Sequence, residues 1–366
     1  MVLHGTVRVL ICDDSAVARQ FIARACETVP GIEIAGRAGN GEEAVRLTRL
    51  LRPDVITMDV EMPGMGGIEA VRRIMEAAPT PILMVSSLTH EGSCVTLEAL
   101  GAGALDFVAK PGAQEDAQRQ AALVAEKILQ LGERGRRALG IAAERAQGVP
   151  GTHMPPQAKA PPAPLATLAH RGRPGRTPLV IIGASTGGPR ALFTVVPRLP
   201  RDLPVPVIIV QHMPLGFTRS LAERLDAQGP LAVREAQDNE ELQAGTVRVA
   251  PAGHHLVIAG RLMQLSETPS EHGVRPAVDV TLRTAAATYP GLVIAAILTG
   301  MGRDGTDGAL RVRQAGGRVI AESEATALIY GMPKSVVEAG AADRIADLGE
   351  VAEEIIRLVE EASRAH

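Results

Sequence analysis

The chain has 366 residues, 46% apolar and 22% charged, enough apolar material for two or three packed domains. Its 38 basic and 41 acidic side chains leave a net charge of −3, which gives no electrostatic ground for a nucleic-acid or anionic-membrane partner. The longest apolar runs, such as 292–299, fall well short of the ~20 residues of a membrane span. The start, MVLHGTVRVL, lacks a signal-peptide pattern, and Cys12, Cys26 and Cys94 form neither a CxxC nor a disulfide framework. A soluble, cytoplasmic, multidomain protein without direct membrane insertion is expected.

In chain order, VRVLIC (7–12), IEIAGR (32–37), DVITM (54–58), PILMVS (81–86) and LDFVA (105–109) read as strands. Between and after them, 15–28, 41–51, 67–77, 92–101 and 114–131 carry helical periodicity. Such alternation demands parallel crossovers and hence a doubly wound α/β sheet. From 133 to 176 the periodicity fades into a Pro-, Gly- and Ala-rich stretch that cannot bury enough surface to order itself, so it reads as a linker. Beyond it, PLVIIG (178–183), VPVIIVQH (205–212) and LVIAAILTG (292–300) are the near-continuous apolar runs of parallel strands covered on both faces. The shorter, alternating LAVREA, TVRVAP, HHLVIAG and RLMQL over 231–265 suggest an antiparallel excursion. Three units are expected: a domain over 1–132, a linker over 133–176 and a second domain over 177–366.

Asp13 and Asp14 follow the first strand and Asp59 the third; Ser86 ends the fourth and Lys110 follows the fifth. Carboxyl ends of parallel strands share one edge of the sheet, where ligands bind. Three carboxylates gathered there repel one another unless a cation joins them, and all-oxygen ligands suit Mg²⁺. Asp59 is then a carboxylate nucleophile for phosphoryl transfer, with Lys110 and Mg²⁺ neutralising the phosphoryl oxygens and Ser86 in reach to hydrogen-bond one of them. Ordinary loop acids and a solvated lysine are the bland alternative for each residue singly, but not for five fitting residue types at strand ends.

The DD pair, MDVEMPGMGG around Asp59, VSS at 85–87 and the Lys110-Pro111 pair resemble the receiver domain of two-component response regulators. The resemblance implies a flavodoxin-like (βα)5 fold and phosphorylation of Asp59 by a histidine kinase. It also implies a backbone carbonyl of Glu61 on the metal, and a switch role for Phe107, where many receivers carry tyrosine.

In the second half, GASTGGPRAL (183–192) fits both the G-x-S-x-G turn that exposes a nucleophilic serine and a glycine turn that cradles a nucleotide phosphate. Partners separate the two. His212 ends its strand and Asp304 follows LVIAAILTG, so both project from the same sheet edge as Ser185. A nucleotide site needs no histidine there, and neither a Walker lysine nor a ribose-binding acid is present. A serine nucleophile does need a histidine base and an orienting acid. The order Ser–His–Asp differs from that of α/β-hydrolases, which places the candidate triad on another fold. His254 and His255 compete as base, and Asp279 and Asp307 as acid, although Asp307 suits a cap for a helix starting near Gly308.

GASTGGP around Ser185, QHM around His212, RPAVDV (275–280) and TGMGRDG around Asp304 resemble the catalytic domain of the chemotaxis protein-glutamate methylesterases, the CheB family. The resemblance implies a doubly wound, mainly parallel catalytic domain with Ser185 as nucleophile, His212 as base and Asp304 as orienting acid. Met301 N–H becomes the oxyanion donor, and Thr186 lines the site. It further implies hydrolysis of glutamate γ-methyl esters, and deamidation of particular glutamines, on methyl-accepting chemotaxis receptors. The phosphodonor would be a CheA-type histidine kinase, and the esterase step would need no cofactor. A substrate side chain carried on a helix calls for an open, shallow site. The 18 basic and 22 acidic residues of 177–366 argue against a DNA-binding output domain.

Overall fold

A computed structural model describes residues 6–86, 90–110, 117–147 and 177–365, with side chains for all of these except 90–91, 136–147 and 365. The first unit runs β1 (Val7–Cys12), α1 (Ala16–Glu27), β2 (Ile32–Ala38), α2 (Gly41–Leu51), β3 (Val55–Asp59), α3 (Gly67–Ala77), β4 (Ile82–Ser86), α4 (His90–Gly101), β5 (Asp106–Ala109) and α5 (Ala117–Gln147). All five strands are parallel, in the order β2-β1-β3-β4-β5. The reversal of strand order between β1 and β3 opens a crevice at their carboxyl ends. Local chemistry sets the helix starts that face it. The Ser15 hydroxyl accepts from Ala18 N–H and the Asn40 side chain from Glu43 N–H, each satisfying an otherwise orphaned donor.

Helix α5 departs from expectation. Periodicity predicts a helix over 114–131 and a linker from 133, whereas the helix continues through Gln147. The extension, GERGRRALGIAAERAQ, is rich in Ala, Arg and Glu, which propagate a helix without an apolar stripe, so hydrophobic periodicity cannot see it. The Pro-rich part of the expected linker (148–176), Ser87 and Pro111 lie outside the described residues.

The second unit comprises β6 (Leu179–Ala184), α6 (Gly188–Val195), β7 (Val207–Gln211), α7 (Phe217–Gln228), β8 (Ala232–Glu235), β9 (Glu240–Glu241), β10 (Thr246–Val249), β11 (His255–Ala259) and β12 (Leu262–Ser266). It continues with α8 (Val278–Thr288), β13 (Val293–Ile297), α9 (Thr306–Gln314), β14 (Arg318–Glu322), α10 (Met332–Glu338), β15 (Arg344–Ala346) and α11 (Val351–Ala365). Its main sheet has seven parallel strands, β15-β14-β13-β6-β7-β10-β8. Only β11, β12 and β9 form the antiparallel excursion. The expectation of antiparallel LAVREA and TVRVAP is therefore corrected: both join the main sheet in parallel. Their alternation reflects a place near the end of the sheet, where every second side chain is less buried, and carries no information on strand direction.

The two units pack directly together. Helix α4 lies along α7, the Phe107 and Phe217 rings stack with centroids 4.6 Å apart and an interplanar angle of 17°, and the Ser93 and Ser220 hydroxyls meet at 2.6 Å. On the other side of the contact, Arg119 of α5 donates to Gly273 O at 2.6 Å. Among the described residues no helix is long and apolar enough to cross a membrane.

Candidate active site and phosphoacceptor pocket

In the first unit Asp13, Asp14, Asp59 and Lys110 converge as their strand-end positions require. Lys110 Nζ lies 2.7 Å from Asp59 Oδ2 and 3.0 Å from Asp13 Oδ2. Burial pushes the Asp59 carboxyl up to about 6; the Lys110 ammonium and Val60 N–H pull it down, while Asp13 adds to the rise. One carboxylate oxygen each from Asp13, Asp14 and Asp59 lies within 4.8 Å of the others, and the buried Asp13 Oδ2 meets Lys110 Nζ at 3.0 Å. Three carboxylate oxygens clustered this closely are the hard donor set that fits a Mg²⁺ ion, which these side chains would hold. Glu61 follows Asp59 by two residues and is exposed. The Ser86 hydroxyl donates to Gly92 O at 3.2 Å. Phe107 is turned inward, against Phe217.

In the second unit β6, β7 and β13 deliver Ser185, His212 and Asp304 to one sheet edge. His212 N–H donates to Ala184 O, tying the ends of β6 and β7 together. His212 Nε2 and Asp304 Oδ2 are 2.7 Å apart, with side-chain exposures of 11% and 2%. Asp304 also accepts from Val278 N–H (2.7 Å) and Asp279 N–H (2.9 Å) at the start of α8. Burial opposes its ionisation, but the bond and charge of His212 together with the two N–H groups outweigh it and hold the carboxyl below its usual range. With Nε2 engaged by Asp304, the Nδ1 edge of the ring is left to take a proton.

The rival residues fall elsewhere. Asp279 Oδ1 accepts from Gly308 N–H (2.6 Å) and its Oδ2 meets His272 Nε2 (2.9 Å); burial, with the neighbouring Asp304 charge, pushes it up to about 6. The capping expected of Asp307 is thus performed by Asp279. Helix α9 starts at Thr306, and Asp307 sits exposed in its first turn, 3.8 Å from Arg303. His255 is fully buried, accepting from Ala277 N–H and facing Pro269 O, while His254 lies 3.4 Å from Glu267.

Ser185, Thr186, His212, Met301 and Asp304 line one cavity of about 950 Å³. Its opposite wall is receiver β5 and α5, including Phe107, Arg119, Leu123 and Lys127. Lys127, ion-paired to Asp106, reaches to 3.5 Å from Thr186 Oγ1. An open, shallow site was expected; in this arrangement the receiver roofs it.

Two residues that the sequence reading passed over complete the turn. Gln211 Nε2 donates to Ser185 O (2.8 Å) and His212 O (3.1 Å), and Thr299 O accepts from Ser185 N–H at 3.0 Å. Gln211 adjoins His212 in QHM, but nothing local says that its amide bridges two loops. Gly300 must stay small: a Cβ there would lie 2.3 Å from Met332 Sδ and 2.8 Å from Ser185 Cβ. Gly300→Ala is expected to displace Ser185, lowering esterase turnover about tenfold or more and stability by about 1–3 kcal/mol. Steady-state kinetics and a thermal melt check both effects.

Fold and site together define a class, a response-regulator receiver domain joined to a doubly wound esterase domain distinct from the α/β-hydrolase fold. The "CheB methylesterase" family model matches residues 180–355 and the "Response regulator receiver domain" model residues 9–122. The chain belongs to the CheB methylesterase family. A protein-glutamate methylesterase/protein-glutamine glutaminase of Thermotoga maritima is 44% identical, covering 96% of this chain and 98% of that one. A relative of the same name from Symbiobacterium thermophilum is also 44% identical, covering 97% of this chain and 98% of its own. The solved T. maritima CheB methylesterase catalytic domain is 47% identical, covering 50% of this chain and 98% of its own with a TM-score of 0.49.

Proposed function

We propose that this chain is a phosphorylation-activated serine hydrolase that removes γ-methyl groups from glutamates, and deamidates particular glutamines, on methyl-accepting chemoreceptors. The observation that carries the reading is the hydrogen-bonded His212–Asp304 pair at the sheet edge that also bears Ser185. Ser185 Oγ attacks the side-chain carbonyl while His212 Nδ1 takes its proton. Asp304 keeps Nε2 protonated and stabilises the imidazolium that forms. Met301 N–H is the oxyanion donor, and Thr186 lines the substrate side. His212 then returns the proton to the departing methanol or ammonia. Water adds to the acyl-enzyme by the same route, freeing glutamate and restoring the Ser185 hydroxyl. Both reactions are acyl transfers, so one triad serves both.

Control belongs to the first unit. The division proposed is a receiver over 1–132, a connecting segment over 133–176 and a catalytic domain over 177–366; the family matches at 9–122 and 180–355 support it. Asp59 is the phosphoacceptor for a CheA-type histidine kinase in the cytoplasm. Mg²⁺ on Asp13, Asp14, Asp59 and the Glu61 carbonyl would supply charge neutralisation for phosphoryl transfer. Lys110 and Ser86 contact the phosphoryl oxygens. Phe107, on the strand that leads to Lys110, carries the change to Phe217 of the catalytic domain.

The test is methanol release from methylated receptor membranes, with and without acetyl phosphate and Mg²⁺. Release that rises with phosphodonor is expected, and no release under either condition overturns the reading. Asp59→Ala is expected to keep basal release yet lose the response to acetyl phosphate. An undiminished response would place the switch elsewhere.

A further inference from the structure

Beyond the triad, one buried titratable group stands behind the nucleophile turn with no part in the steps above. Glu322 is the last residue of β14 and is fully buried. Its Oε2 accepts from Thr299 N–H at 2.8 Å and its Oε1 from the Thr326 hydroxyl at 3.1 Å. The Thr299 carbonyl in turn accepts Ser185 N–H at 3.0 Å. The Thr299 hydroxyl donates to Thr186 O at 2.9 Å and accepts Ile329 N–H at 2.9 Å.

We infer that Glu322 is a positioning residue for the nucleophile: by accepting Thr299 N–H it fixes the backbone on which Ser185 and Thr186 hang. The inference rests on the reading of Ser185 as nucleophile.

The geometry explains why an acceptor is needed there. Strand β13 pairs with β14 only as far as Ile297↔Ala321. Leu298 N–H turns to Gly183 O on the other side, and from Thr299 the chain leaves the ladder for the Gly300–Asp304 loop. Thr299 is 2% exposed, so its N–H has no water to replace the lost strand partner. The Glu322 side chain takes the place of that partner. Without it the buried donor can be satisfied only by moving the loop, and the loop carries the Thr299 carbonyl that holds Ser185 N–H.

The groups facing Glu322 are few. The Thr299 N–H and the Thr326 hydroxyl bond it, and Asp347, at the end of β15, is the charge that acts on it; Asp347 itself accepts from the Ser323 hydroxyl. Burial pushes the carboxyl up to about 7, with the two hydrogen bonds pulling down and Asp347 pushing up. Protonated or not, the side chain keeps a carbonyl-type oxygen for Thr299 N–H. The acceptor, rather than the charge, is therefore the working feature, and glutamine should replace it.

The experiment uses the full chain activated with acetyl phosphate and Mg²⁺, comparing Glu322→Gln, Glu322→Leu, Glu322→Asp and Ser185→Ala. It reads kcat and KM for methanol release from methylated receptor membranes, with kcat normalised to the fraction of folded chains measured by circular dichroism and a thermal melt. Glu322→Gln is expected within about twofold of wild type, and Glu322→Leu about tenfold or more lower in kcat at little-changed KM. Glu322→Asp, shorter by one methylene, should fall in the same sense without adding apolar bulk, and decides the matter if the leucine variant does not fold. Wild-type kcat in the leucine or aspartate variant overturns the inference, as does an equal fall in the glutamine variant. Ser185→Ala with undiminished turnover would instead overturn the nucleophile reading beneath it. An inactive Ser185→Ala beside a fully active Glu322→Leu removes only the role of Glu322.

Discussion

Ser185→Ala is expected to lower methanol release from methylated receptor membranes by about 10⁴-fold or more, equivalent to about 5.5 kcal/mol of transition-state stabilisation. The size follows from the proposed role of the hydroxyl: without it no acyl-enzyme would form, and the proposed oxyanion donor would be left acting on a direct attack by water. Binding should survive, because the side chain is small and its turn is held by backbone groups. Ser185 N–H is bonded to Thr299 O, and Ser185 O is held by Gln211 and Gly188 N–H. The substrate KM should therefore change little while kcat collapses. Asp304→Asn is expected to cost less than removal of the serine, though still orders of magnitude. The asparagine oxygen can accept only some of the three donors that converge on Asp304, and its amide presents the wrong group to His212 Nε2. Retention of wild-type turnover by Ser185→Ala would turn the GASTGG segment back into a binding loop.

A catalytic fragment over 177–366 is expected to hydrolyse receptor methyl esters about tenfold or more faster than the unphosphorylated full chain, a shift of ~1.4 kcal/mol. In the full chain the cavity that holds Ser185 and His212 has receiver β5 and α5 as its far wall, with Lys127 at 3.5 Å from Thr186 Oγ1. A receptor helix cannot enter while that wall is in place. The contacts that hold it are individually modest. A stacked ring pair such as Phe107–Phe217 contributes about 0.5–1.5 kcal/mol, and the tether makes docking intramolecular. A balance this close can be tipped by new charge at Asp59, since Lys110 bonds that carboxylate and directly follows the strand bearing Phe107. The fragment also uncovers Phe217, now fully buried, so Phe107→Ala in the full chain provides a second measurement. It should raise basal release several-fold and reduce the factor gained from acetyl phosphate. Equal turnover by fragment and unphosphorylated full chain would exclude occlusion as the means of control.

Much of this was legible before any coordinates. The strand runs ending at Cys12, Asp59, Ser86 and Ala109 place Asp13, Asp59 and Lys110 at one sheet edge, and the structure joins them within 3.0 Å. The same logic brings Ser185, His212 and Asp304 together, because a parallel sheet presents every carboxyl end on one side. Two of the departures came from reading local pattern. Periodicity missed the end of α5, where helix formers continue without an apolar face. Alternation misjudged the direction of β8 and β10, because it reports burial and not pairing.

By itself, then, the sequence determined the two α/β units, the strand ends and the residue types standing at them, because those depend on local pattern and on the fixed geometry of parallel crossovers. Tertiary structure showed which of Asp304, Asp279 and Asp307 lies against His212. Asp304 meets His212 because the N-terminus of α8 grips its carboxylate, while Asp279 is drawn away to cap α9 and bond His272. It alone seated Glu322 behind Thr299 and laid β5 and α5 of the receiver over the catalytic edge. These are contacts between segments far apart in the chain. Their partners are selected by how helices cross and sheets pack, which no local run of residues records.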